Sequence, residues 1–176
     1  MTITILKFPD PVLLNPTLPF DFANPPISPD EITNLLIKTI HEHNGMGLSA
    51  NQIGLPYSVL VVKSNPNIVM FNPKIVYFSD KEIPLDEGCL SYPGLLVKIK
   101  RAEEIRVRFQ VPSGVTTTKP FVGLTSRVIQ HEVDHLNGIP FYNRASLYHR
   151  EQAFRKLKNE QRRTTSKWTY GVQDKW

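Results

Sequence analysis

Gln130-His131-Glu132-Val133-Asp134-His135 places two imidazoles four residues apart with a carboxylate beside the first. Four residues make about one helical turn, so on a helix His131 and His135 share a face and aim at one point. Glu132 is badly placed as a third equal ligand from that face but can reach a water carried by an ion held there. This is the H-E-x-x-H arrangement of metal-assisted hydrolysis. Val128, Ile129, Val133 and Leu136 recur at helical spacing, which predicts an amphipathic helix from about Leu124 to Asn137 with its apolar side in a core. Two ordinary histidines, solvated or satisfied in a core, are the bland alternative.

A catalytic metal commonly takes three protein ligands and leaves a position open. The metzincin continuation H-x-x-G-x-x-H is excluded: Gly138 falls at its glycine, but Phe141 stands where the third histidine belongs. A later glutamate is a poor candidate, since Glu151 and Glu160 lie in a charged segment that reads as a solvated helix. The remaining option is Cys89, the only cysteine, in Asp86-Glu87-Gly88-Cys89-Leu90-Ser91. A lone buried cysteine is more often a small core residue than a ligand. Its setting between Gly88 and a turn-forming Ser91-Tyr92-Pro93-Gly94 favours exposure near a site.

Gly45-Met46-Gly47-Leu48-Ser49-Ala50-Asn51-Gln52-Ile53-Gly54 is a loop of small residues between an expected helix and an expected strand. Asn44-Gly45 reads as a helix end and Gly54 as the start of a turn. That leaves Gly47 and Ser49-Ala50, which let the main chain approach another group closely, and Gln52, whose amide can donate to a developing oxyanion.

Taken together, the three segments resemble the peptide deformylases. The family's signatures read here as Gly45-Met46-Gly47-Leu48-Ser49-Ala50-Asn51-Gln52, Glu87-Gly88-Cys89-Leu90-Ser91 and Gln130-His131-Glu132-Val133-Asp134-His135-Leu136-Asn137-Gly138, in the family's order. The likeness begins at Ile5-Leu6-Lys7-Phe8-Pro9-Asp10 and runs to about residue 150. The resemblance implies that Cys89, His131 and His135 bind one divalent metal, that Glu132 is general acid and base, and that Gln52 with the Leu90 N–H holds the formyl oxygen. It further implies Fe2+ in the cell, with Zn2+, Ni2+ or Co2+ also accepted, and formyl-methionyl peptides as substrates that release formate. A thiolate among the ligands offers a soft donor compatible with ferrous iron or zinc.

Candidates for the pocket of the first side chain are Met46, Leu90, Val128 and the stem of Arg127, with Met46 equally readable as core. Gly45, Gly47 and Tyr92-Pro93-Gly94-Leu95 are expected to wall a groove where an extended peptide pairs through its main chain. Ser49, Asn51 and Tyr92-Pro93-Gly94 depart from the family's commonest text without removing a catalytic group. They bear on peptide preference rather than on the chemistry.

The 176 residues suffice for one domain with its own core. One cysteine excludes an internal disulfide and suits a reducing compartment. Without a long apolar run or signal-peptide layout, no membrane or DNA partner is expected, and the expected location is cytoplasmic, or host-cytoplasmic for a viral protein. The pattern predicts an α+β fold of antiparallel β-sheets wrapped around a central metal-binding helix, with an N-terminal and a C-terminal helix. Ser28-Pro29-Asp30-Glu31 reads as a capping box opening a helix with Ile32, Leu35, Leu36, Thr39 and Ile40 on one stripe. Strands are expected at residues 57–63, 68–71, 74–78, 95–100, 105–111 and 115–122.

The expected catalytic domain spans residues 1–163 and includes a basic helix over 146–163, with Leu147, Phe154 and Leu157 on one side. Arg150, Arg155, Lys156, Lys158, Arg162 and Arg163 surround that helix, as a solvated face packed on the domain or as a contact for ribosomal RNA. The net charge of +5 is compatible with both. Residues 164–176 show no period and read as a mobile tail or a surface strap. Two rival functions stand beside the deformylase reading: a zinc peptidase, which does not need Cys89, and a ribosome-binding protein with a structural metal, which does not need Glu132.

Overall fold

Pro29 supplies the first residue of helix α1 (Pro29–Glu42), with Ser28 at the N-cap. The expected capping box does not form there, because Ser28 makes no side-chain hydrogen bond to the helix. Its reciprocal half forms instead at Ser49, whose N–H donates to Gln52 Oε1 at 3.0 Å ahead of a short 3-10 turn, Ala50–Ile53. The computed structural model describes residues 3–170, with side chains as far as Arg163.

Among the described residues, seven strands follow or flank these elements: β1 (Gly47–Ser49), β2 (Val59–Val62), β3 (Ile68–Phe78), β4 (Glu82–Cys89), β5 (Tyr92–Ala102), β6 (Glu104–Gln110) and β7 (Thr116–Val122). All pair antiparallel, in a five-stranded sheet ordered β1-β2-β3-β6-β7 and a two-stranded ribbon β4-β5. Helix α2 (Gly123–Leu136) enters directly from β7, and α3 runs Leu147–Tyr170. The α+β architecture with antiparallel sheets around a central helix is therefore the one observed.

Strand β2 shows why the sheet sits where it does. Val59 and Val61 join Ile32, Leu36 and Ile40 of α1 in one core cluster, while Leu60 and Val62 join Val128, Ile129 and Leu136 of α2 in another. With a helix on each face, both sides of the strand are buried, so an unbroken Val-Leu-Val-Val run replaces the alternation of a half-exposed strand. A third cluster packs Tyr92, Leu95, Val97 and Ile99 of β5 against Phe141 and Ala153. Phe141 is thus a fully buried core residue.

Four further expectations differ from the structure. Residues 68–71 and 74–78 belong to one strand: Asn72, at φ 50°, and Pro73 fall at a register shift, where a missing N–H is tolerated. Asn72 stays in place by bonding Phe20 N–H at 2.7 Å and Gln110 Oε1 at 2.8 Å. Strand β4 was not anticipated, since Pro84 and mostly exposed side chains hide it; a ribbon with one partner tolerates both. The turn near Cys89 is Leu90-Ser91, closed by the Cys89–Tyr92 pair, and Tyr92-Pro93-Gly94 already belong to β5. Helix α3 continues past Arg163 to Tyr170, and its buried contacts come from Ala153 and Leu157 while Leu147 is exposed. The remainder of the expected tail, 171–176, lies outside the described residues.

Candidate metal centre

Most of α2 is buried, and the buried residues include Ser126, Arg127, Gln130, His131, Glu132, Asp134 and His135. A polar side chain taken out of water needs a partner, so each of these has to be accounted for. Ser126 Oγ and Gln130 Nε2 bond the Ala102 carbonyl at 3.0 and 2.9 Å, pinning the helix to the end of β5. Asn51 Nδ2 donates to the His135 carbonyl at 2.7 Å and ties the Ala50–Ile53 turn to the other end.

The remaining groups converge. Ligand atoms of Cys89, His131 and His135 all lie within 4.8 Å of one another, with Cys89 Sγ 3.0 Å from His135 Nε2. Cys89 reaches this point because it ends β4, and the two histidines because they are one turn apart on α2. The Glu87 carboxylate lies 3.2 Å from His131 Nδ1, which leaves the other ring nitrogen for an ion. Glu87 is held in turn by Arg101 through two 3.0 Å bonds and by Arg127 Nη1 at 2.5 Å. Arg101 also binds Asp134 at 2.5 Å, and Arg144 closes the chain on Asp134 at 2.6 Å.

Sequence reasoning missed this carboxylate-arginine network. Glu87 stands two positions before Cys89 in β4, and alternate strand residues share a face; that spacing was the available signal. Arg101 and Asp134 carry no such mark, because their pairing joins β5 to α2 across 33 positions.

Gln52 lies beside the sulfur with its amide oriented. Oε1 accepts Ser49 N–H at 3.0 Å and Ser49 Oγ–H at 3.1 Å, which turns Nε2 toward Ser91 Oγ at 3.1 Å and Cys89 Sγ at 3.7 Å. Glu132 is 3 % exposed, and its Oε2 has no hydrogen-bond partner. Gly47 lies against the same carboxylate: a Cβ built there would collide with Glu132 Oε1 and come within 2.6 Å of Val128 Cγ1. The close approach expected of Gly47 is thus to Glu132.

Burial pushes Glu132 up to about 7, against the charge of His131 and a hydrogen bond from Ser49. Burial would also raise Glu87, but hydrogen bonds from His131 and Arg101, with the charge on Arg101, bring it down to about 2. Burial and the positive charges of His131 and Arg101 hold His135 well below its ordinary range. For His131, burial is outweighed by hydrogen bonds with Cys89 and Glu87 and by the charge of Glu132, which lift it to about 10. One sulfur and two imidazoles suit zinc or a first-row metal such as iron, and an unpartnered buried carboxylate oxygen fits a water beside it.

A cavity of about 150 Å³ opens onto these atoms, lined by Gly45, Met46, Gly47, Gln52, Leu90, Arg127, Val128, His131 and Glu132 among others. Met46 is 57 % exposed at its rim and so is not core. Leu85 and Leu124 also line it, and neither was anticipated. Arg127 contributes as expected, although its guanidinium is occupied by Glu87 and by the Ile99 and Ile83 carbonyls. Tyr92 and Gly94 do not wall this cavity. Tyr92 is 6 % exposed and packs on Phe8, Phe141 and Tyr142, while Gly94 faces Leu157 of α3. A larger hollow of about 660 Å³ lies around Arg101, Asp134 and Arg144, away from the ligand atoms.

This geometry coincides with a known family. The model of the polypeptide deformylase family matches residues 2–151. The chain belongs to the polypeptide deformylase family. The peptide deformylase of Aquifex aeolicus strain VF5 is 35% identical over 165 residues, covering 89% of this chain and 95% of that protein. The actinonin-bound crystal structure of the class I type b peptide deformylase from Acinetobacter baumannii is 33% identical with a TM-score of 0.78, covering 83% of this chain and 99% of that one. The peptide deformylase of Thermotoga maritima gives 31% identity and a TM-score of 0.76, covering 83% of this chain and 99% of that one. As a deformylase-family member the chain is a metal-binding hydrolase of protein biosynthesis. No described helix is long and apolar enough to cross a membrane.

Proposed function

We propose that this deformylase removes the formyl group from formyl-methionyl peptides, with Cys89, His131 and His135 holding one divalent ion. The supporting observation is the convergence of those three ligand atoms beside a buried carboxylate oxygen that lacks a partner. When bound, such an ion acidifies a water and polarises a carbonyl oxygen. Glu132 takes the proton as the formyl carbon is attacked and returns it to the leaving amine, so formate and a free N-terminus are released. Burial raises this carboxyl, which opposes the lowering by a neighbouring cation and helps it to hold the proton between the two transfers.

Gln52 donates from Nε2 to the developing oxyanion, and Leu90 adds its N–H. Ser49 already fixes the Gln52 amide oxygen, which keeps Nε2 on the side of the sulfur. The first side chain of the peptide enters the cavity among Met46, Leu85, Leu124 and Val128. Strand β1 is at the edge of its sheet, and Gly47, without a side chain, leaves room for pairing with an extended substrate. Tolerance beyond the first residue follows, since main-chain bonds read no sequence.

Ferrous iron is the proposed native ion, as the resemblance to the deformylases implies; the sulfur ligand is compatible with it and equally with zinc, and nickel and cobalt are further substitutes. The basic α3 is proposed to contact ribosomal RNA where formylated chains emerge, and the site of action is the cytoplasm, or a host's cytoplasm for a viral protein. Iron-loaded protein should release formate from formyl-Met-Ala-Ser and leave acetyl-Met-Ala-Ser intact. Cleavage of internal peptide bonds at a comparable rate would place the chain among peptidases instead.

A further inference from the structure

The N-terminal segment crosses both loops that meet at the metal centre. Leu6 N–H donates to the Gln52 carbonyl at 2.8 Å and Phe8 N–H to the Ser91 carbonyl at 3.0 Å, and the Phe8 ring stacks on Tyr92 at 5.2 Å. Between these anchors Lys7 Nζ donates to the Leu90 carbonyl oxygen at 2.5 Å. That oxygen belongs to the same peptide group as the Ser91 N–H, and the Ser91 N–H donates to Cys89 Sγ at 3.4 Å. A cation therefore sits at one end of a single peptide group whose other end bonds the metal-binding sulfur. Lys7 makes no ion pair among the described residues, so its charge is not spent on an acid.

Resonance couples the two ends of a peptide group. Positive charge at the oxygen draws electron density from the nitrogen and makes its N–H a stronger donor, the usual cooperative strengthening of linked hydrogen bonds. Leu6 and Phe8 already secure the strap through main-chain bonds, so the fold does not require an ammonium at residue 7. We propose that Lys7 is a positioning residue for the metal ligand: through the Leu90-Ser91 peptide it withdraws electron density from the Cys89 thiolate and holds the sulfur in direction. Partners outside the ligand shell tune a bound metal in this way. The inference rests on the reading of Cys89 as a ligand.

The test is the thiolate-to-cobalt charge-transfer band of the full chain loaded with Co2+, compared among the parent, Lys7→Met and Lys7→Arg, with thermal melts alongside. Removing the cation leaves a more electron-rich sulfur, so Lys7→Met should move the band to longer wavelength at an essentially unchanged melting midpoint. Lys7→Arg should restore the parental position. A band that stays put in Lys7→Met overturns the proposal, as does an equal displacement in Lys7→Arg. A parent with no thiolate band at all would remove Cys89 as a ligand, a different failure that takes the metal assignment with it.

Discussion

Gly47 leaves the space that Glu132 occupies: any side chain at residue 47 would overlap the carboxylate and press on Val128, whose Cγ1 lies 2.6 Å from the position of an added Cβ. The glycine of the first loop and the carboxylate of α2 are thus one packing unit. Gly47→Ala should cost about 1–3 kcal/mol through overpacking. Because the displaced group is the proposed proton carrier, kcat should fall by about 10²-fold, the typical consequence of a misplacement near 1 Å. Metal content should stay parental, and a variant with parental turnover would break the link between Gly47 and Glu132.

Glu87 links His131, a proposed metal ligand, to Arg101 and Arg127, so its removal should be felt in both stability and metal binding. Its carboxyl titrates at about 2 when folded against 4.5 as the reference value. The stability it contributes is fully present above about pH 4.5 and is lost as pH falls through about 2, with an upper size of about 3 kcal/mol. Denaturation of metal-free protein between those limits should show this acid loss in the parent and a flatter profile in Glu87→Gln. The variant should also bind metal about 10- to 100-fold more weakly, as expected for loss of the group that orients a histidine ligand.

Gln52 is set by Ser49 to donate toward the sulfur and the turn at Ser91. Gln52→Leu keeps the bulk and removes both halves of the amide. Steady-state kinetics on a formylated tripeptide should show kcat lowered by about 10²–10³-fold, the usual effect of one oxyanion donor, with KM changed little. A drop confined to KM would make Gln52 a binding residue.

The candidate centre was legible because its chemistry lies in short local patterns. His131, Glu132 and His135 occupy one helical turn, and Gly47 and Gln52 stand in one loop, so spacing alone relates them. Arg101, Asp134 and Arg144 form no local pattern: their meeting depends on how β5 lands on α2 and on the chain beyond it. Strand β4 was hidden for a different reason, because a ribbon exposed on one side accepts Pro84 and polar side chains that depress strand propensity. Pro93 and Gly94 beside Tyr92 suggest a turn in the sequence, whereas Leu90-Ser91 makes the real one.

Helix α3 carries Arg155, Lys156, Lys158 and Arg162 on its exposed surface. Replacing Arg155, Lys156 and Arg162 by glutamate should weaken co-sedimentation with ribosomes. It should also flatten the salt dependence by about one in log–log slope for each lost phosphate contact. Turnover of a free formylated peptide should be untouched, since none of these three side chains lines the cavity; unchanged sedimentation would return α3 to a purely structural role.

The most direct test of the metal assignment is metal analysis of anaerobically purified Cys89→Ala beside the parent, with formate release measured on the same samples. Ligation by Cys89 implies one tightly held divalent ion per parent chain, and an alanine variant that loses both the ion and turnover. A Cys89→Ala protein that kept its metal and still released formate would contradict it.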